Sequence, residues 1–139
     1  IGSTNALTYI DASVAPGATY SYTVRAYDAA SNVSGPSNTA VVTIPTVVTI
    51  ISYSVTAKTA TTATIAWNTN IPSTGIVSYG TNSVNLNLSA ADNATSTAHT
   101  VKITGLAPNT RYYYRITAKS LDGSSAATTP ITNFRTSKK

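Results

Sequence analysis

A twelve-residue signature occurs twice in this chain, 92 residues apart from Pro16 to Pro108, and that spacing constrains the fold more than composition does. Ala15-Pro16-Gly17-Ala18-Thr19-Tyr20-Ser21-Tyr22-Thr23-Val24-Arg25-Ala26 aligns without a gap on Ala107-Pro108-Asn109-Thr110-Arg111-Tyr112-Tyr113-Tyr114-Arg115-Ile116-Thr117-Ala118. In each copy a turn leads into alternating large side chains, the period of a strand with one buried face. A repeat of about 90 residues is the length of a small β-sandwich. The first copy stands so close to Ile1 that residues 1–45 read as the C-terminal part of one domain and residues 46–139 as a complete second one. About half a domain is expected upstream.

Composition sets bounds on this reading. With 139 residues, 42% hydrophobic and 9% charged, the chain can hold one complete domain plus a remainder. There is no Glu, Cys or Met, which rules out a disulfide scaffold and thiol chemistry and suits β structure facing a harsh exterior. No segment approaches 18 uninterrupted apolar residues and Ile1 opens no leader, so no membrane insertion is expected and any export signal is placed upstream. The net charge of +5 comes from nine Lys and Arg against four Asp. Arg25, Lys58, Lys102, Arg111, Arg115, Lys119 and Arg135 are dispersed along the chain, which predicts solvated surface charge and no nucleic-acid partner.

Helical spacing is nowhere sustained, whereas period-two alternation recurs between turn signals roughly every 8–12 residues. An all-β chain follows. In the complete copy strands are predicted at 51–55, 63–67 (Ala63, Ile65 and Trp67 on one face), 75–80, 84–88, 97–104, 111–120 and about 128–136. Leu121-Asp122-Gly123-Ser124 is the hairpin turn between the last two. In the partial copy three strands are predicted at 6–14, 19–28 and 38–44. Pro45 and Thr46 form a linker short enough to make a semi-rigid rod.

These residues resemble the fibronectin type III family. The matching features are the single Trp67 on the second strand and Leu106-Ala107-Pro108-Asn109-Thr110-Arg111-Tyr112 leading into Tyr114, Ile116 and Ala118. Tyr112 is similar to the family's tyrosine corner, whose hydroxyl ties back to the preceding loop, and Tyr20 takes the same place in the first copy. Tyr9-Ile10-Asp11 and Ala26-Tyr27-Asp28-Ala29-Ala30-Ser31-Asn32-Val33-Ser34 resemble the variety common in secreted bacterial proteins, with Ser31 where Gly is usual. Trp67-Asn68-Thr69, Pro72-Ser73-Thr74-Gly75, Val77-Ser78-Tyr79-Gly80 and His99 resemble the non-catalytic sub-type found ahead of purple acid phosphatase catalytic domains. The resemblance implies an all-β immunoglobulin-like sandwich, one complete seven-stranded domain preceded by three strands of another, in a secreted or cell-surface protein. Such modules serve mostly as spacers, adhesion modules and scaffolds.

One His, four Asp and no Cys or Glu offer little for catalysis, so no catalytic, metal or cofactor site is expected. His99 is read as a structural hydrogen-bonding residue, and Asp92 and Asp122 as turn formers. Asp11, Asp28 and Asn32 supply too few oxygens for a calcium cage and are read as loop braces. Alternation turns Tyr20, Tyr22, Tyr112 and Tyr114 inward and leaves Tyr27 and Tyr113 as candidate rings for stacking on a sugar. The sequons at Asn32, Asn87 and Asn93 are chance matches in an Asn- and Ser/Thr-rich chain.

The inward residues of the partial copy, Val14, Tyr20, Tyr22, Val24 and Val42, face strands that residues 1–45 do not contain. Leaving about five large side chains exposed forfeits on the order of 10 kcal/mol, comparable to a whole domain's stability. Residues 1–45 are therefore not expected to fold as an isolated monomer. Three roles remain in view: a structural module and spacer of a larger secreted protein, partnered by neighbouring domains or subunits; a filament or surface-layer subunit completed by strand exchange; and an accessory polysaccharide-binding module of a hydrolase.

Overall fold

Eight strands, and no helix among the described residues, form where side chains alternate in character. The structure is a computed structural model that describes residues 2–139. The strands are β1 (Thr19–Tyr22), β2 (Ala40–Thr43), β3 (Ile50–Lys58), β4 (Ala63–Gly80), β5 (Leu88–Ile103), β6 (Arg111–Ser120), β7 (Ala126–Thr128) and β8 (Thr132–Arg135). The chain divides into two units between Thr46 and Val47.

In the second unit the long strand β4 organises the rest. Residues 63, 65, 67, 69, 73, 75 and 77 are all buried, so one face of β4 stays inward along its length. Residues 63–69 pair with β3, and residues 63–68 with positions 98–103 of β5. Residues 75–79 then pair with positions 88–92 of β5, and residues 73–80 with β6. β4 therefore begins in one layer of a sandwich and ends in the other, turning a corner around Pro72, which has no N–H to give to a ladder. Asn70 staples this corner to the chain entering β3: its N–H donates to Thr49 O (3.2 Å), and its side chain accepts from Thr49 N–H (2.7 Å) and donates to Val47 O (3.0 Å).

The strands expected at 63–67 and 75–80 are thus two halves of one. β5 turns a similar corner between its two paired halves, so the six strands β3–β8 supply eight sheet segments. The strand expected at 84–88 is corrected: it begins at Leu88, and Val84 lies in a bend, 93% exposed, its N–H donating to Asn82 Oδ1. A short polar side chain there has captured the backbone that would otherwise join a ladder. The last predicted strand is broken into β7 and β8 at Pro130. Thr129 bridges the gap, its N–H donating to Ile116 O and its hydroxyl accepting from Ile116 N–H. Side chains from both layers form the core, among them Ile65, Trp67, Val77, Ile103, Ile116 and Phe134.

In the first unit β1 pairs antiparallel with β2, from Thr19 opposite Thr43 to Tyr22 opposite Ala40. The turn before β1 needs Gly17, whose φ is +79°. Strands expected over 6–14, 19–28 and 38–44 are corrected. The first is absent, the second stops at Tyr22 and the third is Ala40–Thr43. The causes are local. Ser37 and Ser34 hydroxyls accept from the N–H groups of Val24 and Ala26, in place of ladder carbonyls, and Pro36 between them has no donor. Along 6–14, Ser13 N–H turns instead onto Asp11 Oδ1. Between residues 2 and 46 no side chain is buried, and Val24 stays 70% exposed.

One bond is common to both units. Tyr112 accepts from the Ala107 N–H at 3.0 Å, and Tyr20 accepts from the Ala15 N–H at 2.9 Å, each reaching back five residues. Only Tyr112 is buried, stacked on Phe134 with ring centroids 5.8 Å apart. Replacing Tyr112 by Phe keeps the ring and removes the acceptor, so Tyr112→Phe should lower unfolding stability by about 1 kcal/mol. In urea unfolding the midpoint should fall with an unchanged slope.

Candidate functional site

A polar cluster lies where β4 and β5 turn their corners, packed against Trp67. Alternation drives the Trp67 ring inward from the first layer until it meets the opposite layer at Gly75. A methyl group on Gly75 would sit 2.3 Å from Trp67 Cζ2. His99 stacks on the same indole, with centroids 4.9 Å apart and planes 9° from parallel. Trp67 Nε1 is buried with no hydrogen-bond partner, so the ring is held by packing alone.

His99, 2% exposed, joins two further side chains. Its Nε2 lies 3.0 Å from Ser73 Oγ, and its Nδ1 3.1 Å from Asp92 Oδ2. A carboxylate only accepts, so Nδ1 carries a proton and donates it. Ser73 Oγ also meets Thr69 Oγ1 at 3.1 Å, and Thr69 donates to Ile71 O across the β4 corner. Asp92 braces the β5 corner in the same way, accepting from Ala94 N–H at 3.0 Å and from Thr100 N–H at 3.2 Å. Partial burial works to raise the Asp92 pKa, but these two backbone bonds and His99 outweigh it and hold the carboxyl below its ordinary 3.8.

Serine, histidine and aspartate connected in this order have the wiring of a nucleophile, a base and its orienting acid. Access decides what the wiring does. Ser73 has no exposed surface, and its hydroxyl is shared with Thr69 inside the core, so no substrate carbonyl reaches it. The set works as a clamp on two corners. Among the described residues no three His, Cys, Asp or Glu side chains gather where they would hold a metal.

The other predicted residues fall as follows. Leu106 is buried in the core, and Pro108 lies in the turn before β6. Tyr20 is half-buried and packs against Tyr22 in the first unit. Tyr27, 51% exposed, donates to Asn5 Oδ1 in the first unit, whereas Tyr113 is half-buried on β6 in the second. They belong to different units and form no shared platform within either. Asp28 braces its loop through Ala30 N–H, Asn32 N–H and the Asn32 amide. Ser31 sits there at φ +67°, the left-handed conformation that explains why Gly is usual at the position. Asp11 is engaged with Ser13 and with the Tyr22 hydroxyl.

Two features escaped sequence reasoning. Asp92 meets His99 only because β5 turns between them, and nothing short-range announces that turn. The gathering of basic residues is the second, because linear order scatters positions that a sheet brings together. Period two places Arg111, Tyr113, Arg115, Thr117 and Lys119 on one face of β6, and the structure adds Arg135 opposite Arg111.

Comparison with known proteins locates this architecture. The family described as purple acid phosphatase, N-terminal domain, matches residues 48–136. Endoglucanase B of Cellulomonas fimi is 40% identical over 95% of this chain, and the chain spans 13% of that protein's length. Among solved structures, the chicken CNTN1 FN1-FN3 domains align at TM-score 0.52 and 18% identity over 94% of this chain and 46% of that one. A computationally redesigned β-sandwich protein aligns at TM-score 0.51 and 26% identity over 64% of this chain and 94% of that one. The fold is the fibronectin type III β-sandwich.

The Asp92 carboxyl titrates lower folded than unfolded, so its contribution to stability is full above about pH 4 and is lost as pH falls through the folded value. Asp92→Asn should cost about 1–2 kcal/mol at pH 7. Thermal unfolding of both proteins from pH 7 downward should show the difference shrink below pH 4.

Proposed function

The chain belongs to the purple acid phosphatase N-terminal domain family through residues 48–136, and from that premise we propose that it is a non-catalytic structural and interaction module of a larger secreted protein. The observation that carries this reading is the engagement of Ser73, His99 and Asp92, the first two of them buried: the one acid–base constellation in the second unit is consumed in bracing β4 and β5. The similarity to Endoglucanase B supports placing the module beside a carbohydrate-active domain of a secreted protein. Its partners on this reading are the neighbouring domains, and its mechanism is mechanical: a sandwich of fixed length sets a distance.

The first 45 residues, on the same reading, are the back end of a second sandwich. Two observations support this. The tyrosine bond of β6 recurs at Tyr20, and Val24 and Val42 remain exposed where a packed layer would cover them. A second reading, in which a strand from another subunit covers these residues, is favoured by the same exposure and leads to filament or surface-layer assembly.

Limited proteolysis combined with light scattering tests both. Cleavage within residues 2–46, with residues 47–139 resistant and monomeric, is expected for a module whose first segment is completed within its own polypeptide. Protection of residues 2–46 in a concentration-dependent oligomer would establish strand exchange instead. Protection of the same residues in a monomer would overturn the half-sandwich reading.

A further inference from the structure

The outward face of β6 concentrates charge that the linear sequence scatters. Tyr112, Tyr114, Ile116, Ala118 and Ser120 are buried, which turns the intervening Arg111, Tyr113, Arg115, Thr117 and Lys119 to the opposite side of the layer. Across the ladder Arg135 stands directly opposite Arg111, Asn133 opposite Tyr113, and Ser78 opposite Arg115. Arg135 Nε donates to Asn109 O at 3.1 Å, which pins that guanidinium at the rim. None of these outward positions is acidic. At about 3.3 Å per residue, Arg111 and Arg115 stand roughly 13 Å apart with the Tyr113 ring between them.

Edge protection accounts for only part of this pattern. Charges that blunt a sheet edge belong on the edge strand, which fits Arg135 on β8, whereas Arg111 and Arg115 lie on β6, with β4 along one side of the strand and β7 and β8 along the other. Like charges directly across a ladder destabilise it, so the Arg111–Arg135 pair works against the fold. Planar guanidinium groups are the side chains suited to binding carboxylate or sulfate with two parallel bonds.

We infer that this face, built on Arg111, Arg115 and Arg135 around Tyr113, binds an anionic polysaccharide. The charges supply attraction to uronate or sulfate groups, and the Tyr113 ring a surface for a sugar. Ser78, Thr117 and Asn133 supply partners for its hydroxyls. A nucleic acid fits less well: a flat face does not enter a groove, and single strands need several stacking rings where this surface has one. The inference goes beyond the structural-module reading and stands whether or not the first unit is completed by another chain.

The test is affinity electrophoresis of the whole chain in gels containing polygalacturonate, with dextran, poly-glutamate and a single-stranded oligonucleotide as comparison polymers. Polygalacturonate should retard the protein and dextran should not. Arg111→Ser with Arg115→Ser should weaken retention about tenfold and lower its salt dependence. Lys58→Ser with Lys102→Ser, the same change of charge on strands of the other layer, should change it less than about twofold. Tyr113→Ala should weaken polygalacturonate binding but not poly-glutamate binding. Near-ultraviolet circular dichroism of each variant establishes that the sandwich is intact. Equal losses from the two double variants, stronger retention by the oligonucleotide or poly-glutamate, or no retention by polygalacturonate would each overturn the inference.

Discussion

The contact on which the sandwich depends is the packing of Trp67 against Gly75 and His99. A sandwich of two layers closes only if the largest side chain of one has somewhere to go in the other. Here that space is made by omitting a Cβ at Gly75, where the methyl of an alanine would overlap the indole. The parallel His99 ring stacks on the indole, and its two nitrogens reach Ser73 and Asp92 at the corners of β4 and β5. Packing and hydrogen bonding are thereby joined at one point: the indole sets the separation of the layers, and the polar chain fixes the bends that let two strands serve both layers. The unsatisfied indole Nε1 is tolerated there, although a buried unpaired donor costs about 1–3 kcal/mol.

The two units separate what local sequence dictates from what it cannot. Period-two alternation, the Asp122-Gly123 turn and the tyrosine bond are local properties, and each is legible from a few neighbouring residues. The five-residue tyrosine bond forms at Tyr20 as it does at Tyr112, the first in a unit whose described residues all remain exposed or half-exposed and the second in a unit with a core. Strand formation is different, because a ladder needs a partner. Residues 6–14 alternate acceptably but have no neighbour to pair with among residues 2–46, so Asp11 and Ser13 turn onto each other. β6 reaches its full ten residues because β4 lies along one side of it and β7 and β8 along the other.

The same distinction explains the site. Trp67, Ser73, Gly75 and His99 were identifiable as signature residues, but a one-dimensional pattern does not say that they touch. Asp92 is hidden because its partner lies beyond a bend, and Val84 misleads because a β-branched residue two positions after Asn82 loses its backbone N–H to the amide side chain. The outward arginines of β6 were obscured for a simpler reason. Spacing along a strand is a poor guide to spacing on a sheet, where Arg111 and Arg135 are direct neighbours.

On the proposed reading, function resides in the distance the sandwich spans and the faces it presents, since its polar core is spent on shape. The claim that shape rests on the Trp67 insertion is tested most directly with Gly75→Ala, followed by the fluorescence of the single tryptophan under acrylamide. Added bulk at a packed contact costs about 1–3 kcal/mol, so the variant should unfold at lower urea and expose Trp67 to the quencher in the folded state. Unchanged stability with a tryptophan still shielded would mean that the two layers do not depend on this contact.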